Sequence, residues 1–277
     1  MKTLLWLLPI VLSRAAFGGQ TNEGVLSAVA VLTIHVSDTN IHDTVFRLLT
    51  NVFKLPVEYG PESIGQRRYA AVYAGNMFIE PCGPFTNMKY PTKDFKALFF
   101  GLNCVSTQRA DAVAARLAEL NFPCEKPGET EFRILDSSVA QGTYLAIDTK
   151  APDHRAQEQE TAFRAALQTA QRDGLGFERV KAIYLGYQNA RDLQAWEHLL
   201  GTAGKVDENG WRLDRNQTIR FVKRERPGVI GIECKVRSLP AALEYLNQVK
   251  CPARVVAGKI ELERAETCGL AITLSDE

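Results

Sequence analysis

The chain lacks most of the features that would place it in a specialised class. No Cys-x-x-Cys pair occurs, so zinc-ribbon and thioredoxin-type sites are excluded by spacing. Six cysteines in 277 residues are too few for a disulfide scaffold, where cysteine exceeds about 8%. No block of like charge appears. Lys and Arg total 33 against 32 Asp and Glu, which speaks against a polyanion-binding surface. The densest basic stretch, Arg220-Phe221-Val222-Lys223-Arg224-Glu225-Arg226, alternates as an exposed edge strand would and reads as a solvated face. Beyond the N-terminus no apolar run approaches the ~20 residues needed to cross a bilayer. Histidine is scarce: His35, His42, His154 and His198 are the whole set.

What is present begins with a leader. Lys2 precedes the apolar run Leu4-Leu5-Trp6-Leu7-Leu8-Pro9-Ile10-Val11-Leu12, and small residues follow at Ala15, Ala16, Gly18 and Gly19. This is the layout of a secretory signal peptide, expected over residues 1–19. Its removal takes Lys2 and Arg14 and no acid, which turns the formal charge from +1 to slightly negative. The mature protein is expected to be secreted or periplasmic. Exported cysteines can pair, and six allow 15 pairings. Most sit in apolar strand contexts, where a free thiol behaves as a small hydrophobe.

The remainder suits two domains. It repeats one order four times: a strand, a helix, then a run of short strands. Unit one opens with Ala28–Ser37. Its helix places Val45, Leu48, Leu49, Val52 and Phe53 on one face. Strands Val57–Tyr59, Arg67–Tyr73 and Met77–Glu80 follow. Unit two runs through Ala97–Ser106, a helix over Asp111–Leu120, Phe132–Leu135 and Thr143–Asp148. An Ala-, Gln- and Glu-rich segment then reads as a helical connector. Unit three has a strand at Lys181–Tyr187 and a helix at Leu193–Leu200. Unit four has a strand at Gly228–Val236 and a helix at Pro240–Val249, with proline at its start. Gly101-Leu102-Asn103-Cys104 lines up with Gly231-Ile232-Glu233-Cys234, and Leu145–Ile147 with Leu270–Ile272. Repetition at this period signals modular architecture. The expected domains are 25–150 and 179–277, joined by a connector over 151–178.

One unit carries a His on its first strand and a Glu on its last, His35 and Glu80. Imidazole and carboxylate reaching one point from neighbouring strands suit Zn, Ni, Mn or Fe rather than Ca. Tyr69, Tyr73 and Phe78 are candidates to line the same hollow, with core packing as the plainer reading of all three.

The sequence resembles the vicinal oxygen chelate superfamily, which includes glyoxalases, bleomycin-resistance proteins and extradiol dioxygenases. The residues that carry the likeness are Ile34-His35-Val36-Ser37-Asp38, the helix end Leu48-Leu49-Thr50-Asn51-Val52-Phe53-Lys54-Leu55-Pro56-Val57, and Asn76-Met77-Phe78-Ile79-Glu80-Pro81. The resemblance implies an α+β fold of four βαβββ modules, paired into two curved-sheet cups. It places metal ligands on first and last strands, hence His35 and Glu80. Aligning Ile79-Glu80 with Ile147-Asp148 adds Asp148 as a third ligand, with Glu80 or Asp148 as catalytic base. His35 aligns with Asn103 or Cys104, according to a one-residue choice of register. The C-terminal pair offers Tyr184, Glu233 and Thr273 and no His, which speaks against a two-His, one-carboxylate iron site there. The expected function is an exported protein that binds a small molecule in its N-terminal cup, with a partial site for a divalent metal. A metal-dependent lyase or isomerase is the alternative, and a dioxygenase ranks below it. The expected partners are a small-molecule ligand and a second copy in a homodimer. Nucleic acid and lasting membrane insertion are not expected.

Overall fold

The computed structural model describes residues 24–84, 98–134, 143–150, 154–225, 227–267 and 269–277. The expected signal peptide (1–19), Cys268 and the ends of two expected strands (Ala97 and Leu135) lie outside them.

Module one consists of β1 (Ala28–Val36), α1 (Thr39–Arg47), β2 (Val57–Ile64), β3 (Arg67–Tyr73) and β4 (Phe78–Gly83). Module two has β5 (Leu98–Val105), α2 (Ala110–Glu119), β6 (Cys124–Glu125), β7 (Glu131–Ile134) and β8 (Thr143–Asp148). Helix α3 (His154–Ala170) leads into module three: β9 (Phe177–Tyr187), α4 (Ala190–Leu200), β10 (Lys205–Asp207), β11 (Gly210–Leu213) and β12 (Gln217–Lys223). Module four ends the chain with β13 (Gly228–Val236), α5 (Leu239–Gln248), β14 (Ala253–Val256), β15 (Lys259–Leu262) and β16 (Ala271–Ser275). The modules form two eight-stranded mixed sheets, β2-β3-β4-β1-β5-β8-β7-β6 and β10-β11-β12-β9-β13-β16-β15-β14. The α+β, paired-module architecture expected from the sequence is therefore present.

Local chemistry starts the helices. Asp38 accepts from the backbone N–H of Asn40 and Ile41, both at 2.9 Å, and so caps α1. Asn189 and Asp192 form a capping box on α4. Ser238 caps α5, with proline in its first turn. The apolar stripe of α1 continues into a π-turn over Leu48–Val52. Val45, Leu48, Leu49 and Phe53 are buried there as their spacing requires, each removing roughly 1.5–3 kcal/mol of apolar surface cost.

Strand alternation divides the residues of β1 between two faces. Leu32, Ile34 and Val36 join the hydrophobic core under the helices, and Thr33 and His35 point to the concave side. The core faces of the two sheets meet: Ile34, Leu48 and Ile79 line one small space with Ile232, Leu270 and Ile272. Polar side chains tie the junction. Gln217 accepts from the Val29 N–H at 2.8 Å and donates to the Val29 carbonyl at 2.8 Å. Asn76 donates to the carbonyls of Val180 and Arg215.

Two details differ from the sequence reading. The basic stretch at Arg220 is not an edge, because β12 pairs with β11 on one side and β9 on the other. Its Ile219 and Phe221 are buried, so the charged residues form only its outer face. The Leu-Ala-Ile coincidence is offset by two residues. Cys104 pairs with Ile147, and its counterpart Cys234 pairs with Leu274 rather than Ile272. A two-residue offset keeps each side chain on its face, so the pattern survives the slip.

Gln217 is bonded to three buried backbone groups, the N–H and carbonyl of Val29 and the carbonyl of Asn76. Replacing it with alanine should lower unfolding free energy by about 2–3 kcal/mol, the cost of stranding buried groups, as measured by urea denaturation.

Candidate functional site

The concave face of the N-terminal sheet gathers a polar cluster. In the parallel β1–β4 ladder, Thr33 lies opposite Glu80 and His35 opposite Cys82. All four side chains share the cup face. Glu80 accepts from Thr33 Oγ1 at 3.3 Å and from the Tyr59 hydroxyl at 2.6 Å. Tyr59 comes from β2 and reaches across β3 at Ala71, its ladder partner, where the side chain is small. His35 Nδ1 lies 3.3 Å from Cys82 Sγ.

Module two contributes by close approach. Gly101 of β5 faces Thr33. A Cβ at Gly101 would stand 3.3 Å from His35 Nε2, 3.3 Å from Tyr144 and 3.4 Å from Thr33. Glycine here lets the Tyr144 ring stand edge-on to His35, with centroids 6.5 Å apart. The register choice left open by the sequence resolves in favour of Asn103. Cys104 is buried in the core, so Asn103 takes the cup side.

Asp148 does not join this cluster. It pairs with Val105, which pairs with Ala28. Ala28 is five residues from Thr33, roughly 17 Å along the strand. Its carboxylate instead accepts from the Lys150 N–H at 2.8 Å, closing a turn. The sequence alignment of Glu80 with Asp148 fails because the two last strands pair at different offsets: Thr33 with Glu80, but Gly101 with Tyr144. Among the described residues no three His, Cys, Asp or Glu side chains gather as a metal-binding group.

Tyr73 and Phe78 do not line an open hollow. Phe163 of α3 stacks on Tyr73 with centroids 5.8 Å apart and meets the Phe78 ring edge-on. The connector helix thus covers that end of the face.

Electrostatics separate the groups. Burial, with the nearby Arg67 charge, lowers the His35 pKa to about 4, so its imidazole is neutral at physiological pH. Burial and the Glu80 charge raise the Cys82 thiol, which stays protonated. Burial and a hydrogen bond to Glu80 raise the Tyr59 hydroxyl. Glu58 is raised by burial and by the Glu80 charge, which identifies a neighbouring acid that sequence reasoning missed. The spacing of Thr33-x-His35 and Glu80-x-Cys82 was a readable signal for Thr33 and Cys82. Nothing local could have announced Tyr59 or Tyr144.

The C-terminal cup has a different character. Glu233 on β13 is 2% exposed. It accepts from Tyr184 at 2.6 Å, Ser275 at 2.7 Å and Lys259 at 2.8 Å, and pairs with Lys181 at 2.9 Å. Burial opposes its charge, but the bonds from Lys259, Tyr184, Ser275 and Lys181 prevail and hold its pKa near 2. The acid here is saturated by its own protein.

No family model matches the sequence, and no curated protein matches it. Solved structures do match. The 2,3-dioxygenase LapB of Pseudomonas sp. KL28 aligns with a TM-score of 0.55 at 13% identity, over 91% of this chain and 92% of that one. Homoprotocatechuate 2,3-dioxygenase of Brevibacterium fuscum, in complex with 3,4-dihydroxyphenylacetate, aligns with a TM-score of 0.58 at 10% identity, over 92% and 82%. A Mn(II)-bound glyoxalase of Novosphingobium aromaticivorans aligns with a TM-score of 0.52 at 12% identity, over 91% and 82%. At these identities the likeness is one of fold.

Two outcomes are expected. His35 titrates near 6.5 when unfolded and about 4 when folded. The unfolded chain therefore binds more protons between those values, and stability falls as pH drops through that window. The full difference is roughly 3 kcal/mol. Stability-against-pH curves for His35→Gln should be flatter between pH 6.5 and 4 than those of the native protein. Glu233→Ala leaves two lysines without their acid and should cost about 3 kcal/mol in chemical denaturation.

Proposed function

We propose, on the premise that this chain carries the vicinal oxygen chelate fold, that it is an exported protein whose N-terminal cup binds a small oxygenated molecule. The supporting observation is the contrast between the cups. At one level of the N-terminal sheet, Thr33, Tyr59 and Glu80 form a hydroxyl–carboxylate group, and the neutral His35 is one ladder step away, opposite Cys82. In the C-terminal sheet the buried cup acid, Glu233, sits on a first strand and is consumed by internal lysines. Hydroxyl, carboxylate and neutral imidazole together offer donors and acceptors to carbonyl or hydroxyl oxygens, and Tyr144 offers an aromatic wall. Sites of this kind orient a ligand with few polar groups. The apolar leader supports export to the periplasm or the medium.

Membership of this fold raises the question of a divalent metal. The residues fit one poorly. Both Glu80 oxygens accept from hydroxyls, His35 Nδ1 faces the Cys82 thiol, and Asp148 closes a turn elsewhere. Catalytic metal sites in proteins take about three protein ligands. The ring-cleaving arrangement of two His and a carboxylate has no source. Of four histidines, His42 lies on α1, His154 on α3 and His198 on α4, leaving His35 as the single strand histidine. One observation favours a second reading, a metal-dependent lyase or isomerase: the imidazole of His35 is held neutral, the form a metal requires.

Metal analysis of the purified mature protein, beside His35→Ala, separates the readings. The binding-protein reading expects substoichiometric metal and a thermal upshift with one or more small hydroxy-carbonyl or catechol compounds. That upshift should fall at least tenfold in ligand potency in Glu80→Gln and in Tyr59→Phe. Stoichiometric metal, lost in His35→Ala, would replace it with the lyase or isomerase. Neither metal nor any ligand-dependent shift would leave a structural protein and end the proposal.

A further inference from the structure

A second concavity lies on the opposite side of the N-terminal sheet from the cup. It has a volume of about 320 Å³ and is walled by α1 and by residues of β2 and β3, among them Asp43, Phe46, Arg47, Pro61 and Arg68. Alternation along β3 sets its position. Val72 joins the core under the helices, and Arg68, an even number of residues away, points to that same helical side. The groove is therefore separated from Thr33, His35 and Glu80 by the thickness of the sheet.

Its charge is unbalanced. Asp43 is the single acid in the wall, and its carboxylate is already committed: one oxygen faces His42 Nδ1 at 3.1 Å and the other faces Arg68 Nη1 at 3.1 Å. Two guanidinium groups line the same space. Arg68 holds Asp43 through Nη1 alone, and its Nε is buried with no hydrogen-bond partner. Buried donors in folded proteins are almost always paired; this one is an unsatisfied donor beneath the wall of the groove, and a ligand would meet the outer nitrogens of the guanidinium. Arg47 spends its Nε on the backbone carbonyl of Asp43, one helical turn back, at 3.2 Å. None of the ion pairs among the described residues involves the Arg47 guanidinium. The groove thus offers two cations, spare N–H donors and one satisfied acid, beside the apolar walls of Phe46 and Pro61.

We propose that this groove binds a small oxyanion carried on a flat apolar body, an aryl carboxylate or an aryl phosphate. Arg47 and Arg68 would take the oxyanion through their unspent N–H groups, since guanidinium geometry suits both carboxylate and phosphate. Phe46 and Pro61 would cover the apolar body. The acid in the wall, already holding a cation and an imidazole, has little left for an amine. The site is independent of the cup, and its occupancy does not require the cup to be filled.

Calorimetric titration of the mature chain with benzoate, phenyl phosphate and benzylammonium tests this. Benzoate or phenyl phosphate should bind, more weakly as salt is raised, and benzylammonium should not. The tighter of the two anions identifies the oxyanion as carboxylate or phosphate. Arg47 is exposed and its hydrogen bond is to its own helix, so Arg47→Gln should fold normally and weaken anion binding at least tenfold. Arg68→Lys, which keeps the charge but loses the planar guanidinium fork, should weaken it as well. Glu80→Gln in the cup should leave it unchanged. The proposal is overturned if neither anion binds, if Arg47→Gln binds within twofold of the native chain, or if binding follows Glu80→Gln instead.

Discussion

The antiparallel pairing of first strands, β1 with β5 and β9 with β13, is the constraint on which the rest depends. A single βαβββ module has an apolar face under its helix and a first strand that pairs on one edge only. Joining two modules through those strands buries the edge and makes one curved sheet from each pair. The same ladder sets which residues meet. Because Thr33 falls opposite Gly101, a residue without a side chain stands where Tyr144 must approach His35. A slip of one residue would turn Leu32 and Ile34 into the cup and His35 into the core. The hydrophobic burial of Leu32, Ile34, Leu102 and Cys104 is what forbids it.

The two cups use one carboxylate each and treat it differently. Tyr59 on Glu80 and Tyr184 on Glu233 make the same 2.6 Å contact. Glu233 then receives two lysines and a serine, which match its charge inside the sheet. Glu80 receives hydroxyls alone and has Glu58 as an acidic neighbour. A buried acid with internal counter-charges stabilises its domain and has little capacity left for a ligand. The hydroxyls that Thr33 and Tyr59 turn toward Glu80 bring no counter-charge to it. The difference traces to where each acid sits, Glu80 on the last strand of module one and Glu233 on the first strand of module four, and to the lysines that β9 and β15 bring to the second.

Much of the fold was legible because its causes are local. The helices follow from capping residues and from apolar residues at helical spacing, as in Asp38 with Val45, Leu48 and Leu49. The strands follow from alternation, and the four-fold repetition of both leads to paired modules. The errors arose where pairing decides. Arg220 read as an edge because alternation of charge looks the same on an edge strand and on the outer face of an interior one. Asp148 read as a ligand because Ile-Glu and Ile-Asp match as words. Their strands, however, pair four residues apart in offset, and only the ladders record that.

By itself the sequence determined the order of the main elements and their four-fold repetition, the apolar face of helices such as α1, and the presence of one strand histidine with an acid on the last strand of the same module. Those properties depend on neighbours within a few positions, where side-chain period and capping chemistry act. Tertiary structure alone decided that His35 meets Cys82 while Glu80 meets Thr33 and Tyr59, that Asn103 rather than Cys104 faces the cup, that Glu233 is neutralised, and that Arg47 and Arg68 share a groove. Each of these rests on the register between strands or the packing of a helix over a sheet. Residues tens to hundreds of positions apart then come within hydrogen-bond reach, and no local pattern encodes that distance.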